Sequence, residues 1–178
     1  SKHIYNCMFK KNITCKIILL YFFVTILFSF SAKSQTSISI QTAEQALSDG
    51  NYEKALEIWE TLSNKGNLIA INNLGFMYER GYGVIRNPKK AVALYKKAAE
   101  GGIAVAQFNY GEALFLGNGI KKNNTEAKKW LLIALDRGSK DALYLLKDIN
   151  KLISKEENIE AKNRFILWKN NFNKRQPN

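Results

Sequence analysis

The residue types that most often carry catalysis or bind transition metals lie at the amino terminus of this 178-residue chain. The one histidine is His3, and the two cysteines are Cys7 and Cys15. Histidine is the usual general base, and a cysteine thiolate serves as a nucleophile or a zinc ligand. If this segment is removed on export, the mature chain contains neither residue type. The sequence therefore predicts a protein that is not an enzyme and that has no cofactor and no metal site.

The amino-terminal segment has the three parts of a secretory signal peptide. Lys10 and Lys11 precede an apolar run at 17–30, and small residues follow that run. The run is shorter than the ~20 apolar residues that a membrane-spanning helix needs. We predict that residues 1–34 are signal peptide and upstream sequence, cleaved near Ser34 or a few residues earlier. The protein is then exported, to the periplasm, the cell envelope or the medium of a bacterium, and an uncleaved anchor is the alternative.

Three carboxylates near the carboxyl terminus form the remaining cluster that could do acid–base chemistry. Glu156, Glu157 and Glu160 lie in the first turns of a predicted last helix at about 156–171. Acidic side chains in that position are stabilised by the helix dipole. This structural role is sufficient to explain them, so we do not interpret them as catalytic.

Small residues recur along the chain at a spacing of 36 residues. The recurring positions are Ala55/Ala91/Ala127, Gly66/Gly102/Gly138 and Ala70/Ala106/Ala142. A period of this size is typical of helix-turn-helix units that stack because none buries its own apolar face. The expected fold is all-α, a right-handed α-solenoid of about four helix-turn-helix units. We expect an N-terminal hairpin at 35–66, repeats at 67–102 and 103–138, and capping helices with a basic tail at 139–178.

Each unit is expected to contain a first helix, helix A, and a second, helix B, because apolar residues recur at helical spacing. In the second unit we predict helix A at about 68–80 and a helix B that begins at Asn87 and Pro88. The third unit repeats this plan, with helices near 104–116 and 125–137. Trp59 and Trp130 fall on the apolar stripes and are predicted to be core residues, whereas Trp168 could pack on the preceding unit or on a partner.

Two segments, LGFMYERGYGV…NPKKAVALYKKAAEGG and YGEALFLGNGI…NTEAKKWLLIALDRG, resemble Sel1-like repeats. The first unit, through DGNYEKALEIWE, is more similar to a tetratricopeptide repeat. The third unit departs from the family pattern at Tyr110, Leu114, Ile120 and Leu135, and each of these residues is still apolar in character. The resemblance implies an α-solenoid that acts as a protein-interaction scaffold. One branch of the family is rich in cysteine and includes hydrolases, but these repeats contain no cysteine, so that activity does not carry over.

One strip of helix A faces away from the predicted buried stripe in the second and third units. Its members are Ile69, Asn73, Phe76, Arg80, Val105, Asn109, Glu112 and Leu116. We predict that this strip binds a protein or peptide on the concave wall of the solenoid. An asparagine amide can both donate to and accept from a peptide backbone. The alternatives are that these are ordinary solvated residues, and that Phe76 packs onto the next repeat.

Charge supports a competing interpretation. Five of the 27 basic residues and no acid lie in residues 1–35, which leaves 22 basic and 15 acidic residues, a balance of +7. Five of those basic residues fall in the last 17 positions, which contain no acid. Such a segment can hold an anionic cell-wall polymer or a membrane surface. Nucleic acid is not an expected partner of an exported protein, and the oligomeric state stays open.

Overall fold

The computed structural model describes residues 40–175, and the predicted signal peptide lies outside them. The described residues form eight helices and no strand. The helices are α1 at 40–48, α2 Tyr52–Asn64, α3 Leu68–Arg80, α4 Pro88–Glu100, α5 Ala104–Leu116, α6 Asn124–Asp136, α7 Ala142–Leu152 and α8 Lys155–Arg175. Helices α3, α5 and α7 are helix A of successive units, and α2, α4 and α6 are helix B. The prediction of an all-α solenoid is confirmed.

Asparagine side chains begin the B helices. Asn51, Asn87 and Asn123 each accept a hydrogen bond from the backbone N–H three residues later, at 3.2, 3.0 and 2.9 Å. Such a bond satisfies one of the N–H groups that a helix start leaves without an intrahelical partner. The three caps are 36 residues apart. Only the cap at Asn87 was predicted, although the spacing would have identified the other two.

The units stack in chain order. Within a unit, α3 packs against α4 and α5 against α6, and between units each B helix packs against the next A helix. Gly75 allows α3 and α4 to pack closely, because a Cβ there would lie 2.8 Å from Cε1 of Tyr95 and 3.2 Å from the carbonyl oxygen of Ala91. Gly111 makes the corresponding contact one unit later, where a Cβ would lie 2.9 Å from Cγ of Leu131. Both glycines therefore let the two helices of a unit approach closely.

The turn after helix A joins one unit to the preceding one through main-chain contact. A Cβ on Gly83 would lie 2.9 Å from the carbonyl oxygen of Tyr52, at the start of α2. One unit later, a Cβ on Gly119 would overlap the carbonyl group of Pro88, at the start of α4. Both glycines also have positive φ, +67° and +74°, which residues with a Cβ adopt with strain. Glycine is therefore required here for space and for conformation.

The core has two parts. A first cluster joins α1, α2 and α3 and includes Trp59, Leu62 and Met77. The main cluster runs from α3 to α7 and includes Tyr95 and Trp130. Trp59 and Trp130 are both buried, as predicted. Helix α3 contributes to both clusters, so it couples the N-terminal hairpin to the rest of the solenoid.

Helix α8 departs from the repeat. It packs against α6 rather than forming a hairpin with α7, which is what a regular helix B would do. Trp168 places its ring edge on Trp130 at 5.9 Å, and Phe172 stacks on Trp168 at 4.7 Å. The ammonium of buried Lys128 donates to Asn150 of α7 and, at 2.6 Å, to Asn158 of α8. Of the two positions considered for Trp168, the structure shows packing on the preceding unit.

Candidate functional site

The eight residues predicted on the face of helix A that points away from its buried stripe are called the helix A strip. Its four end residues are exposed, and three of them are aliphatic: Ile69 is 44% exposed, Val105 57% and Leu116 61%. Arg80 is exposed, and the remaining members are half-buried: Asn73, Phe76, Asn109 and Glu112. The strip therefore combines exposed aliphatic side chains at its ends with partly buried polar groups between them.

The two strip asparagines are joined through a third. Asn109 Nδ2 of α5 donates to Asn72 Oδ1 of α3 at 3.0 Å, and Asn72 Nδ2 donates to Asn73 Oδ1 at 3.2 Å. Asn72 is buried, 5% exposed, and both of its amide atoms are used. Among the described residues, the amide nitrogen of Asn73 and the amide oxygen of Asn109 have no partner. One donor and one acceptor are thus held in fixed positions on adjacent units.

Phe76 is half-buried by contacts within the protein itself. Its ring meets the edge of Tyr82 at 5.8 Å, and Tyr82 stacks on Tyr52 of α2 at 4.3 Å. The guanidinium of Arg80 lies 5.5 Å from the centre of the Phe76 ring. Phe76 also packs against the main core cluster. The exposed apolar surface of the strip is consequently aliphatic and comes from Ile69, Val105 and Leu116.

A half-buried carboxylate lies beside the strip asparagines. Glu112 has its pKa raised, first because burial disfavours its charge and then because Glu79 is close, while Arg80 partly offsets both effects. Glu79 is fully engaged, since it accepts from the Tyr95 hydroxyl at 2.9 Å and from Asn118 Nδ2 at 3.0 Å. Burial, followed by the charge of Glu79, also raises the pKa of Tyr95. Ionised Glu112 is therefore held in an unfavourable environment.

Sequence reasoning missed several residues of this surface. Asn72 and Glu79 were not predicted, because a side chain that bridges two units has no signature in one helix. Leu152 of α7 lies 36 residues after Leu116 and is 58% exposed. The repeat spacing could have found it. The aliphatic end of the strip thus extends onto a third A helix.

The basic carboxyl-terminal segment is helical as far as Arg175, and α6 supplies the acids that it lacks. Lys169 pairs with Asp136 at 2.6 Å. Arg164 pairs with Glu126 at 3.0 Å and with Glu160 at 2.6 Å. Two of the five basic residues that were predicted to be free, Arg164 and Lys169, are therefore used in holding α8 against α6.

Within 40–175, no helix is both long and apolar enough to cross a bilayer. In the same part of the chain, no three His, Cys, Asp or Glu side chains are placed to hold a metal ion.

The two central units match a known repeat. The family model for the Sel1 repeat matches residues 68–103 and 104–139, which are the two units that carry the helix A strip. The predicted Sel1-like repeats are thus confirmed for these two segments. Solenoids of Sel1 repeats commonly act as protein-interaction scaffolds and are generally not catalytic.

Individual proteins similar to this chain come from several organisms. An F-box protein of Arabidopsis thaliana is 36% identical over 97 residues, which are 54% of this chain and 26% of that protein. The crystal structure of a Sel1 repeat protein from Oxalobacter formigenes has a TM-score of 0.59 and 30% identity, covering 72% of this chain and 55% of that one.

A protective antigen of uropathogenic Escherichia coli, described as displaying an SLR fold, has a TM-score of 0.70 at 21% identity. The match covers 74% of this chain and 29% of that one, and it supports the fold alone. This chain thus spans about a quarter of the F-box protein and between a quarter and three fifths of the solved chains.

Proposed function

We propose that this protein is an exported, non-enzymatic scaffold that binds a protein or peptide partner on the helix A strip. The observation that carries the proposal is the Asn73–Asn72–Asn109 chain of hydrogen bonds. It positions one amide donor and one amide acceptor, the two groups that an extended peptide backbone complements. Because buried Asn72 holds both side chains in place, little side-chain entropy is lost on binding.

The aliphatic ends of the strip supply the rest of the proposed surface. Ile69, Val105 and Leu116 are each more than two fifths exposed. An aliphatic side chain of the partner would remove these groups from water, which contributes about 25 cal/mol per Å² of apolar area buried. Polar contacts then select the orientation of the partner, and apolar contacts supply most of the affinity.

The test is recovery of partners from a bacterial envelope extract by the immobilised protein. We expect the Asn73→Ala/Asn109→Ala double variant to recover specific partners at no more than about a tenth of the wild-type level. The Asn163→Ala/Asn170→Ala variant is the matched control, because both residues are exposed on α8. Equal recovery by the strip variant and wild type would contradict the proposal.

A second variant separates binding from folding. Asn109→Ala removes a partner of buried Asn72, so that change also lowers stability. Val105→Ser and Leu116→Ser alter exposed side chains and are expected to leave the free energy of unfolding within about 0.5 kcal/mol of wild type. If this variant loses partners while its free energy of unfolding is unchanged, the helix A strip is supported as the binding surface. Full retention of partners by this variant argues against that role.

The competing electrostatic function is best tested by substitutions that remove positive charge, not by truncation of the chain. Removing residues 161–178 would also remove Ala161, which is buried, and Trp168, which packs on Trp130. Lys162→Gln/Lys174→Gln instead lowers the positive charge on exposed positions of α8. Envelope association that is lost in this variant and in high salt would favour an anionic polymer or membrane as partner.

The exported location rests on the basic, apolar and small-residue pattern of residues 1–34. Expression of the full chain in a bacterium, followed by cell fractionation and mass spectrometry of the purified product, tests it. We expect a product that begins close to residue 35 and is recovered outside the cytoplasm. A cytoplasmic product that retains residues 8–34 would contradict export.

A further inference from the structure

A second concave surface lies between α6 and α8, apart from the helix A strip. It is a groove of about 350 Å³. That volume is at the lower end of the range of small-ligand sites, roughly 300–1,000 Å³. The groove is bordered by charged side chains of both helices and by the aromatic side chains of Trp168 and Phe172. It belongs to the part of the fold that departs from the repeat.

The charges that line the groove are unequal. Lys129, Arg164 and Arg175 contribute three positive charges, and Glu126 is the one acidic residue among the described lining residues. A cleft lined mainly by one sign of charge raises the local concentration of ions of the other sign. The groove is therefore electrostatically suited to an anion.

Glu126 orders two of the three cations, Lys129 and Arg164, and leaves Arg175 unpaired by it. Its Oε1 accepts from the ammonium of Lys129 and, at 2.9 Å, from Trp130 Nε1, and its Oε2 accepts from Arg164 at 3.0 Å. Burial alone would raise the pKa of Glu126, but these hydrogen bonds together lower it, so the carboxylate stays ionised at neutral pH. Arg164 also pairs with Glu160 at 2.6 Å, so Arg175 is the cation of the groove for which the described residues show no acidic partner, and the paired cations are already ordered before any ligand binds.

The groove also has an apolar side. Leu167 is 62% exposed and lines the groove next to Trp168 and Phe172. The two aromatic rings are stacked, and Arg137 lies 4.3 Å from the centre of the Phe172 ring. These rings are held by their neighbours, so an apolar group entering the groove would meet a preformed surface.

We propose that the groove between α6 and α8 is a separate binding site for a short acidic peptide segment. One carboxylate of the segment pairs with Arg175 and Arg164, and an adjacent apolar side chain contacts Leu167 and Trp168. The volume of the groove accommodates one or two residues. A membrane surface is less suited to it, because the exposed lysines that would contact lipid, Lys162 and Lys174, do not line the groove.

Peptide titrations on the full chain test the site, followed by ¹⁵N NMR and by Trp fluorescence. The probes are the capped tripeptides acetyl-Asp-Phe-Asp-amide, acetyl-Asn-Phe-Asn-amide and acetyl-Lys-Phe-Lys-amide. We expect the acidic peptide to shift the Trp168 indole and Asn171 amide signals. The neutral and basic peptides are expected to bind at least about fivefold more weakly. Equal binding of the acidic and neutral peptides would overturn the proposal.

Neighbouring residues of α8 supply a matched pair of variants. Arg175→Gln removes a charge from the groove, and Lys174→Gln removes a charge next to it that does not line the groove. We expect about a fivefold weaker affinity for the acidic peptide with Arg175→Gln and a change of less than about twofold with Lys174→Gln. If the two variants weaken peptide binding equally, the peptide responds only to the overall positive charge of the protein, and the proposed site is wrong.

Two more measurements complete the test. The Asn73→Ala/Asn109→Ala variant is expected to bind the acidic peptide normally, because the groove does not include the helix A strip. Vesicles that contain phosphatidylglycerol provide the lipid alternative. If the vesicles shift the Trp168 signal and the acidic peptide does not, the groove serves a membrane surface and the proposal of a peptide site is wrong.

Discussion

At the scale of single residues, the helix contacts at Gly75 and Gly111 give a prediction whose sign is diagnostic. Alanine in place of a mid-helix glycine stabilises an unobstructed helix by about 1 kcal/mol. Here the added Cβ would lie within 3 Å of Tyr95 or Leu131. We expect Gly75→Ala and Gly111→Ala each to lower the free energy of unfolding by about 1–2 kcal/mol, because overpacking outweighs the gain. Urea titration measures this, and an increase in stability would contradict the contact.

Glu112 gives a second prediction at this scale, through pH. Its pKa is raised in the folded protein, so folding is penalised once the unfolded chain ionises this group, above its ordinary pKa of 4.5. The penalty grows as pH rises through the folded pKa and is complete above it. Glu112→Gln removes the charge, so the variant should be more stable than wild type at pH 7. The difference between variant and wild type should shrink as pH falls below about 4.5.

The control for Glu112 is Glu53→Gln, because Glu53 is exposed in the first turn of α2. Thermal unfolding at pH 4 and pH 7 compares the two variants. A gain at pH 7 that is confined to Glu112→Gln supports the burial of an ionised carboxylate. A stabilised variant that also binds partners less well would show that stability is given up for function at this position.

Sequence reasoning found part of the candidate site and missed the rest for a physical reason. The 36-residue spacing placed Asn73 and Asn109 on the same side of adjacent units, and the structure brings them to one bridging residue. The bridge is Asn72, the residue before Asn73. Because of the helical turn between the two residues, the side chain of Asn72 points toward the next unit. Whether that amide meets a partner depends on the distance between two A helices, and no pattern within one helix encodes that distance.

At the scale of elements, α8 is the helix whose position was least predictable. Helices up to α6 follow from glycine, alanine and asparagine landmarks that recur in each unit. Helix α8 has none of these landmarks, and its place depends on long-range contacts. Examples are the packing of Phe172 at Gly102 and the guanidinium of Arg137, at the end of α6, which lies 4.3 Å from the centre of the Phe172 ring.

Adjacent residues of α8 test how that helix is held. Trp168 is half-buried against Trp130, whereas Leu167 is exposed. We expect Trp168→Ala to lower the free energy of unfolding by about 2–4 kcal/mol and to speed amide hydrogen exchange in α8. Leu167→Ala should change the free energy by no more than about 0.5 kcal/mol. Similar effects of the two changes would mean that α8 is not docked through Trp168.

At the scale of the whole molecule, the two core clusters predict regional stability. In a stacked solenoid each unit contacts only its neighbours. A destabilising substitution in one cluster should therefore affect mainly the helices that form that cluster. Met77 is fully buried in the first cluster, and Ile133 is almost fully buried in the main cluster. Each change to alanine is expected to cost about 2–5 kcal/mol locally.

Amide hydrogen exchange distinguishes the two regions. Met77→Ala should speed exchange chiefly in α1, α2 and α3 and leave α6 protected. Ile133→Ala should have the converse effect, with faster exchange from α5 to α8 and protection retained in α2. If both variants accelerate exchange uniformly along 40–175, the array unfolds as one cooperative body and the two clusters are not separate regions.

The contacts of Gly83 and Gly119 with the starts of the preceding B helices have a consequence for how such a chain can grow. Main chain meets main chain at both joints, so this contact is available whatever side chains the neighbouring units carry. A tandem duplication of one unit would therefore keep the same rise and lengthen the array by one step. Its surface could then diverge freely, which makes the number of units, and not only their composition, a means of changing what the protein recognises.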